Sequence, residues 1–285
     1  MSGAERVRGK KPTGVINEPR AEKIFEKDFK NPLTFSLIYG IISYQIQEVK
    51  EMEQKIDRRK RYILMLDTET ANTVCEADGK MDMRFVLPYD IGWAIIDKYG
   101  NIYRERSYVN ADIFCGMSDL MHSAYYANKL PQYREEIAEG KRILANTYTI
   151  RAAMLADFDE FNCVAVCAHN ARFDYTALNN VQRWTTKSKY RYWFPYGVEW
   201  WDSLRMARCV VNKMPTYQRF CENNDYLTAQ GKPRLTAEIL YRFISHEQDF
   251  DEAHTGLEDV RIEAQILAYC YRQHKAMQKK LFEKK

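Results

Sequence analysis

One short apolar run constrains this chain more than any other stretch: Tyr62-Ile63-Leu64-Met65-Leu66, followed directly by Asp67-Thr68-Glu69-Thr70. Five apolar residues in succession predict a strand buried on both faces. Strand side chains alternate, so Asp67 and Glu69, two residues apart, leave on the same face. Two carboxylates that close repel each other, and beside a core they are costly unless a cation neutralises them. Mg²⁺ and Mn²⁺ prefer oxygen ligands and suit such a pair. A lone D-x-E reads most simply as a polar strand end dipping into solvent. Here it is the only D-x-E in the chain, and it closes an apolar run.

The rest of the composition sets bounds. With 285 residues, 46% of them hydrophobic, the chain is long enough for one large domain or two small ones with a sizeable core. A formal net charge of +4 permits a polyanionic partner without requiring one. Seven cysteines are scattered without a C-x-x-C pair, and Cys163 and Cys167 fall in an apolar strand as small core residues. That usage suits a reducing compartment. With neither a signal peptide nor an apolar run of membrane-spanning length, the expectation is a soluble cytoplasmic protein with no membrane partner.

In chain order, residues 1–20 read as a flexible basic tail. Residues 21–60 form an N-terminal extension in which Leu33, Leu37, Ile41, Ile42, Ile46, Val49, Met52 and Ile56 recur at helical spacing. This amphipathic helix ends in the charged run Asp57-Arg58-Arg59-Lys60-Arg61, a solvated helix end. Residues 61–285 then make one domain. Runs from Asp90 to Asp97 and Ile102 to Val109 read as a hairpin joined at Lys98-Tyr99-Gly100-Asn101. Residues 118–160 read as helical with a break at Leu130-Pro131, and the best patterned part runs from Thr147 to Phe161. Cys163 to Ala168 is a second buried strand, Val198 to Trp201 another, and helices start at Ser203, Thr216, Thr236 and Thr255. The order is that of an α/β domain with a mixed sheet.

Two more motifs join the acid pair. Asn170 ends the Cys163–Ala168 strand region as a candidate N-cap, which puts Asp174 in the first turn of the next helix. In α/β sheets, ligands collect at the carboxyl ends of strands, so Asp67, Glu69 and Asp174 are expected at one edge. His169 reads as a packing histidine. Further on, Thr255 and Glu258 form a capping box that starts a helix, with His254 on the loop before it and Asp259 in its first turn. The same H-x4-D spacing occurs at His169/Asp174 and His246/Asp251, but only His254 precedes a strong helical pattern.

Asp67-Thr68-Glu69, Asn170-Ala171-Arg172-Phe173-Asp174 and His254-Thr255-Gly256-Leu257-Glu258-Asp259 together resemble, in order, the three motifs of the DEDDh branch of DnaQ-like 3′–5′ exonucleases, which includes the proofreading epsilon subunit and oligoribonucleases. The resemblance covers roughly residues 60–275. Trp201-Asp202-Ser203-Leu204 and Leu235 to Leu240 look like further landmarks, whereas Tyr217 to Pro233 is longer than in compact members. It implies a ribonuclease H-like mixed sheet of about five strands flanked by helices. It also implies metal-dependent release of nucleoside monophosphates from a 3′ end of single-stranded DNA or RNA, DNA being favoured. An RNA-specific exoribonuclease and a non-catalytic binding module of the same fold are the alternatives. A DNA polymerase is a candidate partner. The implied cofactors are two Mg²⁺ or Mn²⁺ ions held by Asp67, Glu69, Asp174 and Asp259, with His254 as general base.

Thr68, Thr70, Asn170 and Phe173 are the candidate substrate contacts within these motifs. A separate stretch, Arg183 to Tyr196, has four basic residues, no acid and six aromatics, a composition suited to phosphate contact with base stacking. Lys187, Lys189 and Arg191 are its candidate phosphate contacts, while Phe194 is expected to be buried.

Overall fold

The computed structural model describes residues 56–71, 82–122, 124, 126–186, 189 and 191–282. Contacts divide the chain into two units, 1–55 and 56–285, and everything below concerns the second. The basic tail and nearly all of the amphipathic helix expected over 21–60 lie outside the described residues. What is described of the charged run is a turn, with Arg58, Arg59, Lys60 and Arg61 exposed.

Six strands form one mixed sheet: β1 (Ile63–Ala71), β2 (Leu87–Ile96), β3 (Ile102–Asn110), β4 (Ile143–Ala145), β5 (Ala165–Ala168) and β6 (Trp200–Asp202). Their order is β4-β3-β2-β1-β5-β6. β1, β2 and β3 pair antiparallel, whereas β5 joins β1 in parallel and β6 joins β5 in parallel. The longer helices are α1 (Leu130–Ala138), α2 (Thr147–Glu160), α3 (Arg172–Thr185), α4 (Ser203–Val210), α5 (Pro215–Asn223), α6 (Ala237–Ser245) and α7 (Gly256–Arg272). This is the helix-flanked mixed sheet expected of a ribonuclease H-like fold. It has one strand more than the expected five or so. β4 pairs in parallel with β3 inside a stretch read as helical, and its three residues are too few to display an alternation. Pro131 does not break a helix there but lies in the first turn of α1, where its missing N–H has no helical acceptor to lose.

β1 is buried on both faces, as its apolar run requires. Leu64 and Leu66 enter one core with Met154 of α2 and Leu178 and Val181 of α3. Ile63 and Met65 enter the other with Met206 of α4, Leu240 of α6 and Val260 and Leu267 of α7. Each such side chain gains about 1.5–3 kcal/mol from burial. Slipping β1 by one residue would exchange its two sets of side chains between the cores, so the register is tightly specified. Because β1, β5 and β6 are parallel, their carboxyl ends open on one edge of the sheet. That edge carries Asp67 and Glu69, His169 and Asn170, and Asp202.

Among the described residues no helix is long and apolar enough to cross a membrane.

Candidate active site

Each arm of the site is delivered by a different element. Asp67 pairs across the ladder with Gly92, and Glu69 with Asp90, before the register shifts between Glu69 and Thr70. Asp174 sits in the first turn of α3 and Asp259 in the first turn of α7, where the positive end of each helix favours a carboxylate. Glu69, Asp174 and Asp259 are buried, while Asp67 keeps a partial opening to solvent. Carboxylate oxygens of Glu69 and Asp259 and a ring nitrogen of His254 all lie within 4.8 Å of one another. This trio joins the first motif to the third, whereas the expectation for the sheet edge named Asp67, Glu69 and Asp174.

Asp67 and Asp174 stand beside it. Thr68, on the opposite face of β1 from Asp67, donates its hydroxyl to Asp174 Oδ1 at 2.9 Å. Strand alternation turns the buried hydroxyl of Thr68, a candidate substrate contact, toward α3, where it orients an acid. Thr70 is likewise buried. Asn170 does not cap α3. Its φ of +63° is left-handed, the helix starts two residues later, and its N–H donates to Asp202 Oδ1 at 3.2 Å. Asparagine tolerates this backbone, so the residue makes the turn leaving β5. Phe173 is half-buried beside it. His169 packs as expected, its ring 2.9 Å from both Ser203 Oγ and the Leu235 carbonyl.

The third motif is held in place largely from outside it, by β2, Tyr126, Lys129 and Arg142. Gly92 and Gly256 bring β2 and α7 into backbone contact. A Cβ on Gly92 would lie 2.3 Å from the Gly256 carbonyl carbon, and one on Gly256 would lie 2.8 Å from the Gly92 nitrogen. Neither position admits a side chain. The start of α7 is capped from β2: the Gly256 N–H donates to Asp90 Oδ2 at 3.0 Å. The same oxygen accepts from the Tyr133 hydroxyl at 2.7 Å and from Arg142 at 2.9 Å. Thr255 occupies the N-cap position but makes no side-chain cap, because its hydroxyl donates to Glu258, which also pairs with Arg142. The capping box thus gives the right helix start through a different set of bonds. His254, on the loop before α7 as expected, has a left-handed φ of +48° and stacks on Tyr126 at 4.4 Å. Lys129 in the adjoining 3-10 turn donates to the Ala253 carbonyl. An isolated glycine in a strand was the one sequence cue to Gly92. Asp90, Tyr126, Lys129 and Arg142 left none.

The electrostatics follow from crowding. Burial, then repulsion from Glu263, Asp174, Glu69 and Asp259, holds the Asp67 carboxyl well above its usual range. Burial with Asp90 nearby pushes Glu69 up to about 8, and burial with Glu252 and Glu69 nearby pushes Asp259 up to about 9. Asp174 rises to about 7 through burial, although the Thr68 hydrogen bond opposes the rise. His254 moves the other way: burial and the Lys129 charge lower its pKa, keeping the imidazole neutral. Asp259 Oδ1 is buried with no hydrogen-bond partner. Carboxylate oxygens, one of them lacking a donor, with an imidazole at the rim, fit a hard divalent cation such as Mg²⁺ or Mn²⁺.

Of the stretch from Arg183 to Tyr196, Lys187 lies outside the described residues, while Lys189 and Arg191 are exposed. Trp193 and Phe194 are buried, the latter as expected; Trp184, Tyr192 and Tyr196 are exposed.

Neither a family model nor a curated protein matches this chain. Solved structures do. The chain is similar to E. coli exonuclease I in complex with a 5cy-dT13 oligonucleotide, at a TM-score of 0.47 and 14% identity over 75% of this chain and 41% of that one. It spans less than half of that protein. It is also similar to a 3′-exonuclease described in 3′-end specific recognition of histone mRNA stem-loop, at a TM-score of 0.45 and 13% identity over 89% and 79% of the two chains. The nuclease domain of 3′hExo, described as a DEDDh family member bound to rAMP, matches at a TM-score of 0.41 and 13% identity over 79% and 100%.

Proposed function

We propose that this protein is a metal-dependent 3′–5′ exonuclease of the DEDDh type that shortens single-stranded nucleic acid, DNA in preference to RNA. The observation that supports the reading is the grouping of Glu69 of β1 and Asp259 of α7 with His254, one Asp259 oxygen being buried without a donor. So costly an arrangement has a use when cations complete it.

Asp67, Glu69, Asp174 and Asp259 hold two Mg²⁺ or Mn²⁺ ions in this reading. When bound, such ions neutralise the scissile phosphate and acidify a coordinated water. The chain's own residues supply the rest. Thr68 fixes the rotamer of Asp174, and the Gly92–Gly256 contact fixes the depth of Asp259. His254 accepts the proton of the attacking water, and its lowered pKa leaves it unprotonated at neutral pH. Tyr126 keeps the imidazole plane in place. Lys189 and Arg191, both exposed, are the proposed phosphate contacts of the strand.

Because His254 is grouped with Glu69 and Asp259, a second reading makes it a ligand instead of the base. The His254→Ala protein separates the two: it retains Mn²⁺ as a base variant and loses it as a ligand variant. The activity itself is tested on end-labelled single-stranded DNA and RNA. Stepwise loss from the 3′ end, abolished by EDTA, is expected. Full activity in EDTA, or cutting of a circular substrate, would refute the proposal.

A further inference from the structure

An open cleft of about 200 Å³ lies between α3, the 192–198 loop, Trp200 of β6 and Phe282. That is below the roughly 300–1,000 Å³ of pockets that surround drug-sized ligands, and matches one flat ring system more nearly than a large cofactor. Its walls are aromatic: Tyr175 stands edge-on to Trp200 at 5.3 Å and to Phe282 at 4.9 Å. Tyr192 and Tyr196 line it from the loop before β6. Three of these rings remain open to solvent, Tyr196 fully and Tyr192 and Phe282 by about half.

Two features identify the occupant. The first is polar. Asn179, one turn after Tyr175 on α3, also lines the cavity and is 3% exposed. Its Oδ1 accepts the Trp193 N–H at 2.8 Å, which leaves Nδ2 a buried donor without a partner. The second is charge. Arg172 lies over the Phe282 ring at 5.5 Å and Arg183 over the Tyr192 ring at 5.7 Å, both exposed, and among the described residues no acid lines the cavity. Rings for stacking, on a loop pinned to α3 by the Asn179–Trp193 hydrogen bond, and flanking guanidiniums for phosphates suit an unstacked nucleotide.

We propose that this cavity takes one nucleobase of a single-stranded nucleic acid, splayed out of the strand, while Arg172 and Arg183 hold the adjoining phosphates. The inference rests on the nucleic-acid reading above and gives it a second contact point away from the cut end.

The test compares binding of oligothymidylate with that of an abasic oligomer of equal length and charge, by fluorescence anisotropy in EDTA. Wild type is expected to prefer the base-bearing strand. Tyr196→Ala and the double variant Tyr196→Ala/Phe282→Ala should weaken oligothymidylate by about 5- to 100-fold and leave abasic binding unchanged. Tyr196→Trp, which keeps a stacking face, should bind as wild type does. Tyr196 is fully exposed, so these changes spare the core. Equal losses on both oligomers, no loss on either, or no wild-type preference for bases would overturn the proposal. Cleavage in Mn²⁺ is scored separately. Base-dependent binding without cleavage would sink the exonuclease reading and keep the cavity, and cleavage without base-dependent binding would do the reverse.

Discussion

Two groups of buried acid on this sheet are treated in opposite ways. Asp157 of α2 is surrounded by donors: Arg104 at 2.7 Å, Arg106 at 3.0 Å and the Trp93 indole at 2.9 Å. Across β1, the acids of the candidate site crowd one another, and Asp259 keeps an oxygen with no donor. Lys129 is a cation whose field reaches Glu69 and Asp259, but it also holds the Ala253 carbonyl. A structural carboxylate folds with its counter-charge already in the chain. The site carboxylates fold without enough of it, a deficit of the kind a divalent cation offsets.

The largest effect expected from this contrast comes from removing a ligand. Asp67→Ala, Glu69→Ala or Asp259→Ala should lose Mn²⁺ binding and nuclease activity together. His254→Ala should lower single-turnover rates by about 10²–10⁴-fold with the metal retained. His246→Ala is the control: His246 has the same spacing to Asp251 but lies just past the end of α6 as its left-handed C-cap. Normal His254→Ala protein alongside inactive His246→Ala protein would mean the third motif is misassigned.

A change that moves the cluster without altering its charge should come next. Gly256→Ala places a Cβ against the β2 backbone and shifts the start of α7. A displacement of about 1 Å can cost 10²-fold in rate. Turnover should fall by that order while far-UV circular dichroism stays native; an unaffected rate would show that the Gly92–Gly256 contact does not set the position of Asp259.

The stability consequences are smaller and of opposite sign in the two groups. Asp157→Asn leaves Arg106 without its carboxylate and Arg104 with Glu160 alone, and should destabilise by about 3 kcal/mol. Asp259→Asn should stabilise the metal-free protein, and the sign follows from the raised pKa. The folded carboxyl titrates near 9 and the unfolded one near 4, so the folded state binds more protons between these values. Stability therefore declines as pH rises through that window. In chelator the Asn variant should resist this decline and melt above wild type at pH 9, by about 2–4 °C for each kcal/mol gained. A pH-independent difference would contradict the assignment.

How much of this was legible beforehand depended on range along the chain. β1 and its acids were readable because an apolar run and a two-residue spacing are local. Asp174 and Asp259 were readable because each lies in a helix's first turn, a few residues from a boundary signal. The Asn170 cap failed because a left-handed turn and an N-cap recruit the same residue type. The Asp90 cap on Gly256 joins residues 166 apart in sequence. The stacking of Tyr126 on His254 likewise depends on where a 3-10 turn ends in space. Long-range pairs of that kind leave no periodicity to read.

The central claim is that the site folds as protonated acids awaiting a divalent cation. Calorimetric titration of wild-type protein with Mn²⁺ at pH 7, repeated in two buffers of different ionisation enthalpy, tests it most directly. Because Glu69 and Asp259 titrate near 8 and 9, they carry protons at that pH and must release them to become ligands. The account predicts saturable binding with net proton release, both lost in Asp259→Ala. Binding with no proton release, or binding untouched by that substitution, would contradict it.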